Sequence, residues 1–140
     1  MEQHHTLAHV LRQEQLRYTN QRQAVWDEIK STDAHRDAEE IYMALRQDNI
    51  SVSRATVYRT IEVLVKYKLI NKIDIGDGRS RYEHANNTEH HDHLICTNCG
   101  KILEFVDESV EELQCDIAKK YGFKLDYHIH QLFGLCKKCK

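Results

Sequence analysis

The chain has 140 residues, 41% of them hydrophobic and 30% charged, with a formal net charge of −2, the balance of a soluble globular protein and not of a disordered or membrane-embedded one. No apolar run approaches the roughly 18 residues of a membrane span, and the opening Met1-Glu2-Gln3-His4-His5 lacks the cationic start and apolar core of a secretory signal, so a cytoplasmic protein of one or two small domains is expected. Residues 1–83 carry 13 Lys+Arg against 13 Asp+Glu and residues 84–140 carry 7 against 9, so any nucleic-acid contact has to come from local geometry, not overall basicity.

In chain order, four helices come first. Thr6 to Gln13 is short. Thr19 caps a second helix to about Lys30, with Ala24, Val25 and Ile29 on one face, and Asp37 caps a third to about Asp48, with Ala38, Ile41 and Leu45 inward. Ser53 caps a fourth, in which Val57, Ile61, Leu64 and Val65 follow the i, i+4, i+7, i+8 pattern. After Tyr67 the period becomes two: Leu69–Ile75, then Gly76-Asp77-Gly78, then Arg79–Glu83, a β-hairpin with a glycine-rich turn. Helices followed by a two-stranded wing describe a winged helix-turn-helix over residues 1–84. Residues 85–89, with Asn86-Asn87-Thr88, read as a linker, and 90–140 as a second domain. There the pattern predicts strands at His93–Thr97 and Ile102–Val106. A helix follows from an Asp107 cap to about Tyr121 with Val110, Leu113 and Ile117 inward, then a strand from Phe123 to Phe133. The fold class is α+β.

Four of the five cysteines form two Cys-x-x-Cys pairs, Cys96/Cys99 and Cys136/Cys139. Two thiolates three residues apart can reach one ion while the turn's amides point at the sulfurs. Four sulfurs saturate tetrahedral zinc and leave no place for a substrate, so the site is structural. A domain of about 55 residues has little core of its own and gains most from such a staple. Neither pair opens a helix after a strand, which argues against a redox dithiol. Cys115, within the helical pattern, is expected to be a small buried residue.

Glu89-His90-His91-Asp92-His93 is dense in nitrogen and oxygen donors. If extended, it sends His90 and Asp92 to one side and His91 and His93 to the other, so one segment can feed two sites. Further candidate donors are His35, Glu83, Glu104, Glu111 and His128. Imidazole and carboxylate together accept Fe(II), Mn(II), Co(II) or Zn(II) exchangeably, and donors from both domains gripping one ion would make a switch. For DNA, Ser53, Arg54, Thr56, Tyr58 and Arg59 open the fourth helix with hydroxyls, cations and an aromatic, and Arg17, Tyr18, Thr19 and Arg22 surround the start of the second, where a helix N-terminus favours phosphate.

Three stretches, Tyr18-Thr19-Asn20-Gln21-Arg22, Ala55-Thr56-Val57-Tyr58-Arg59-Thr60 and, most specifically, His90-His91-Asp92-His93-Leu94-Ile95-Cys96-Thr97-Asn98-Cys99-Gly100-Lys101, make the whole chain resemble the ferric uptake regulator family of bacterial metal-dependent repressors. The resemblance implies a homodimer joined through the C-terminal domains, with a tetramer as a further assembly, binding a palindromic AT-rich operator when loaded with metal. It implies a regulatory site on His35, Glu83, His93 and Glu104, with His91 as a further candidate, and a second site on His90, Asp92, Glu111 and His128. It also implies minor-groove contact by Arg17 and major-groove contact by Tyr58 and Arg59. Peroxide sensors of the family carry aspartate where this chain has Glu83 and Glu104, and zinc sensors place a cysteine among the ligands, so Fe(II) is the expected signal, with Mn(II), Co(II) or Zn(II) as surrogates. A peroxide, manganese or zinc sensor of the same family is the alternative. A metal-dependent hydrolase built on the His/Asp/Glu cluster is the alternative from another class, but the sequence offers it no separate acid or base motif, and no enzymatic activity is expected.

Overall fold

The computed structural model describes residues 6–85 and 91–140. The chain divides into two compact units, Met1–Thr88 and Glu89–Lys140. All of the expected linker except Ala85, and the candidate ligand His90, lie outside the described residues.

The first unit holds α1 (Leu7–Gln13), α2 (Asn20–Lys30), α3 (Ala38–Gln47) and α4 (Arg54–Lys66), then an antiparallel pair, β1 (Ile70–Ile73) and β2 (Arg81–His84). A side-chain oxygen opens each helix by accepting a backbone N–H three residues on: Thr6 from His9, Thr19 from Arg22, Asp37 from Glu40 and Ser53 from Thr56. Caps of this kind contribute about 1 kcal/mol each. Three helices close on a left-handed residue, Gln15, Asn49 or Lys68. The next residue returns its N–H to the carbonyl five back, Leu16 to Leu11, Ile50 to Leu45 and Leu69 to Leu64. That apolar cover offsets the roughly 1–2 kcal/mol cost of left-handed backbone without glycine. The inner faces share one core in which Leu11, Val25, Ile41, Leu45, Val57 and Leu64 are buried.

The wing is shorter than the alternation implies, with pairing only from Ile70↔His84 to Ile73↔Arg81. Gly76 and Gly78, at φ of 84° and 79°, turn the loop. A third segment joins the pair: Arg36 and Tyr82 exchange backbone hydrogen bonds of 3.3 and 2.8 Å as a single antiparallel bridge. One bridging residue has no periodicity, which is why the sequence did not announce it.

The second unit holds β3 (Asp92–Cys96), β4 (Ile102–Phe105), α5 (Glu108–Lys120) and β5 (Gln131–Gly134), in the sheet order β4-β3-β5. β3 runs antiparallel to β4 and parallel to β5. Three expectations fail here for one reason. The last strand pairs only over Gln131–Gly134 rather than from Phe123; Leu113 and Ile117 are 61% and 58% exposed instead of inward; and Cys115 is exposed. Helical and alternating patterns report an apolar face but not what covers it, and on α5 only Ala118 is buried. Leu125, Tyr127 and Ile129, expected on one face of the last strand, precede it in irregular chain and are 46%, 79% and 77% exposed.

Candidate metal centres

The strand–turn Cys96–Gly100 and the C-terminal turn Cys136–Cys139 bring their four sulfurs within 4.8 Å of one another. Cys99 and Cys136 sulfurs are 3.7 Å apart. That is far beyond a disulfide bond of about 2.05 Å and matches the roughly 3.8 Å edge of a tetrahedron with Zn–S near 2.3 Å. Backbone amides of Cys99 and Cys136 donate to Cys96 Sγ at 3.5 and 3.4 Å, and the Asn98 amide donates to Cys139 Sγ at 3.3 Å. The two amides pull the Cys96 thiol down to about 6. For Cys139 the Asn98 hydrogen bond also lowers the pKa, but the neighbouring Cys136 thiol and burial outweigh it and lift it to about 11. Four sulfurs at tetrahedral spacing, three of their contacts being N–H donors that favour thiolate, suit a soft divalent ion, and the donor set fits structural zinc.

A second cluster lies between β3, α5 and the segment before β5. Asp92, 1% exposed, has Oδ1 3.5 Å from His128 Nε2, which is 3.4 Å from Glu111 Oε1. These spacings exceed charge-assisted hydrogen bonds of about 2.7–2.9 Å and approach the separation of donors each about 2.1 Å from one ion. A buried carboxylate beside a second one calls for a cation. His130 Nδ1 lies 3.6 Å from the other oxygen of Asp92. Read singly in the sequence, His130 looks like a surface residue; the signal that it is not is its two-residue spacing from His128.

The remaining donors fall into two His–Glu pairs, one in each unit. In the first, the Arg36–Tyr82 bridge makes His35 and Glu83 the next, non-hydrogen-bonded pair of that ladder, where side chains approach most closely. His35 Nε2 is 2.7 Å from Glu83 Oε2, and Glu83 is 5% exposed. In the second, His93 stands opposite Glu104. Cys96 N donates to Lys101 O at 2.8 Å, so by alternation along the antiparallel ladder His93/Glu104 is again a non-hydrogen-bonded pair. His91 lies beside it, its ring 5.0 Å from that of His93 and its Nε2 3.5 Å from Glu104 Oε1.

The sequence profile described as the Ferric uptake regulator family matches residues 13–133. The chain belongs to the ferric uptake regulator family. It is 42% identical over 132 residues to the ferric uptake regulation protein of Campylobacter jejuni, covering 93% of this chain and 83% of that one. It is 35% identical over 130 residues to the peroxide-responsive repressor PerR of Staphylococcus aureus, covering 93% and 86%. Among solved structures it superposes on the Helicobacter pylori ferric uptake regulator, described as having three functional metal binding sites, with a TM-score of 0.85, 34% identity and coverage of 99% and 97%. A zinc-bound manganese uptake regulator matches with a TM-score of 0.70, 36% identity and coverage of 94% and 98%. The family, the two-domain α+β fold, and donor sets suited to structural zinc and to a regulatory divalent metal therefore stand together.

In this ferric uptake regulator homologue the candidate DNA residues divide by what their side chains already do. Thr19 and Ser53 are spent as helix caps, and Ser53 also donates to Thr56 Oγ1 at 3.0 Å. Tyr18 donates to Gln23 at 2.8 Å, and Arg22 donates to the Arg17 carbonyl. Arg17, Tyr58 and Arg59 are exposed, Tyr58 by 47%. Arg54 is exposed too but engaged by Glu39. Arg79, absent from the sequence candidates, ties the wing to the α3 cap through Asp37.

Proposed function

We propose that the chain is a metal-activated transcriptional repressor of iron-homeostasis genes, acting in the cytoplasm as a homodimer on palindromic AT-rich operator DNA. Fe(II) is the signal, and His35, Glu83, His93 and Glu104 are its ligands. The observation that carries this reading is one donor arrangement built twice, a His facing a Glu at a non-hydrogen-bonded pair of a β-ladder, once in each unit.

Each pair alone offers two donors, too few for an ion that takes four to six. The pairs complete one another only if they face the same ion, and then the relative orientation of the units depends on metal. Bound there, a divalent ion supplies neutralisation of two carboxylates. Glu83 is held by its ladder partner and by burial, so it is fixed before the ion arrives; His91 stands ready as a fifth donor. Fixing the units fixes α4 of each subunit, so that Tyr58 and Arg59 meet successive major grooves about one turn apart. Arg17 then reaches the adjoining minor groove. Asp92, Glu111 and His128, with His90, hold a second ion that ties α5 to the sheet. The exposed apolar side chains Leu113, Ile117, Tyr127 and Ile129 supply the subunit contact, since large apolar side chains left uncovered in number mark interaction sites.

A gel-shift titration with Mn(II) tests the reading. Binding should strengthen with metal in the wild type and lose that response in a His35→Ala, His93→Ala double variant; equal binding with and without metal would sink it. The similarity to the peroxide-responsive repressor makes peroxide sensing the second reading. Glu83 and Glu104 in place of aspartates favour iron, and mass spectrometry of the Fe(II) protein after mild peroxide should show no added oxygen on His35, His91 or His93.

A further inference from the structure

A cation at the start of a reading helix ordinarily adds sequence-independent attraction to phosphate. Arg54, the first residue of α4, is placed differently. Its Nε donates to both oxygens of Glu39 at 3.2 and 3.1 Å and its Nη2 to one of them at 2.9 Å. Its guanidinium lies over the Tyr42 ring, 4.3 Å from the centroid. Glu39 is itself fixed in the first turn of α3, where the helix dipole favours a carboxylate. The Nε/Nη2 edge, the fork best matched to a phosphate oxygen pair, is therefore filled by a carboxylate, and a phosphate approaching Arg54 also meets Glu39. The hydrogen bonds between them lower the Glu39 pKa and raise that of Arg54, so the pair stays ionised and carries no net charge.

We propose that Glu39 is a specificity-determining residue that cancels the charge of Arg54 at the reading surface and so lowers affinity for DNA of any sequence. This rests on α4 being the DNA-contacting helix. A metal switch works only against a weak background, because affinity shared by the loaded and unloaded states shifts nothing. With 13 cationic and 13 anionic side chains over residues 1–83, one unmasked arginine per subunit is a large change. Discrimination then falls to Tyr58 and Arg59.

The test uses the full-length, Mn(II)-saturated protein and two duplexes, one of mixed sequence and one AT-rich inverted repeat that the wild type selects from a random pool. Affinities are read by fluorescence anisotropy across a salt series. Glu39→Gln should bind both duplexes more tightly and steepen log K against log[salt] by about one per α4 engaged, so that its advantage shrinks roughly 3.5-fold per helix between 50 and 200 mM salt. The preference for the selected duplex should fall. Adding Arg54→Ala to Glu39→Gln should return the slope to that of the wild type. If Glu39→Gln proves poorly folded by circular dichroism, Glu39→Ala makes the same prediction. Weaker binding by a folded Glu39 variant would make Glu39 a support that orients Arg54 and would overturn the proposal, as would an unchanged slope. A wild type that shows no metal-stimulated binding to any selected duplex would overturn the DNA reading itself.

Discussion

Ile129→Ala should weaken the proposed homodimer without disturbing the subunit. Ile129 is 77% exposed, and the nearby Tyr127 and Leu125 are 79% and 46% exposed, so the side chain contributes little to its own subunit's core. Fully burying an isoleucine contributes about 1.5–3 kcal/mol; scaled by the exposed fraction and reduced for the methyl that alanine retains, about 1–2 kcal/mol per copy is at stake. A two-fold interface uses the residue twice, so the dimer dissociation constant should rise by about 2–4 kcal/mol, or roughly 30- to 800-fold. Sedimentation equilibrium over a concentration series measures this, and metal-stimulated DNA binding should weaken at low protein concentration and recover at high. An unchanged dissociation constant would place the subunit contact elsewhere and leave the exposed Leu113, Ile117 and Tyr127 unexplained.

Four further outcomes follow from the side-chain contacts. Asp37→Ala removes both the α3 cap and the anchor of Arg79, so the melting point of the N-terminal unit should fall by an amount corresponding to about 1–2 kcal/mol. Burial raises the Asp37 pKa, but the Glu40 amide and Arg79 outweigh it and leave it below the usual 3.8; its contribution is therefore full above that value and lost as pH falls through the lower folded-state pKa, which acid unfolding of wild type against Asp37→Asn would reveal. The single tryptophan, Trp26, has its ring 5.1 Å from His84, the residue after Glu83, so Mn(II) or Fe(II) should quench its fluorescence and Glu83→Gln should abolish the quenching. Because the Cys139 thiol sits near 11, zinc uptake by reduced apoprotein at pH 7 should release protons, and the apparent zinc affinity should rise about tenfold per pH unit for each proton displaced.

Much of the fold was legible because its signals are local. Thr19, Asp37, Ser53 and Asp107 each cap the helix that their position implies, and the Cys-x-x-Cys spacing led directly to the clustered sulfurs. What was not legible depends on non-local pairing. The Arg36–Tyr82 bridge rests on one residue, yet it is what sets His35 against Glu83. The Glu39–Arg54 and Asp37–Arg79 pairs join residues 15 and 42 apart, which no periodicity reports. The inward assignment of Leu113 and Ile117 erred in the opposite sense: the apolar pattern was real, but its cover is not among the described residues of the chain.

The four-cysteine turn has a reach beyond its own ligands, because β3 carries members of three candidate donor sets within five residues: Asp92, His93 and Cys96. Strand register has a period of two, so a slip of one residue would move His93 from Glu104 to Leu103 or Phe105 and turn Asp92 away from Glu111. The register is pinned where β3 passes into β4, by Cys96 N donating to Lys101 O at 2.8 Å and Gly100 N to Cys96 O at 3.0 Å. The same turn carries Cys96 and Cys99, and Gly100, at φ 77°, lets the chain leave it. Zinc held by the four cysteines should therefore stabilise the pairing on which the proposed regulatory donors His93 and Glu104 depend, although it shares no ligand with them. Removing zinc by chelation under reducing conditions, or by Cys99→Ser, should weaken Mn(II) binding at least tenfold in isothermal titration while His35 and Glu83 stay intact in their own unit. Mn(II) affinity that survives complete loss of zinc would mean that β3 and β4 hold their register unaided, and the two metal systems would then be independent.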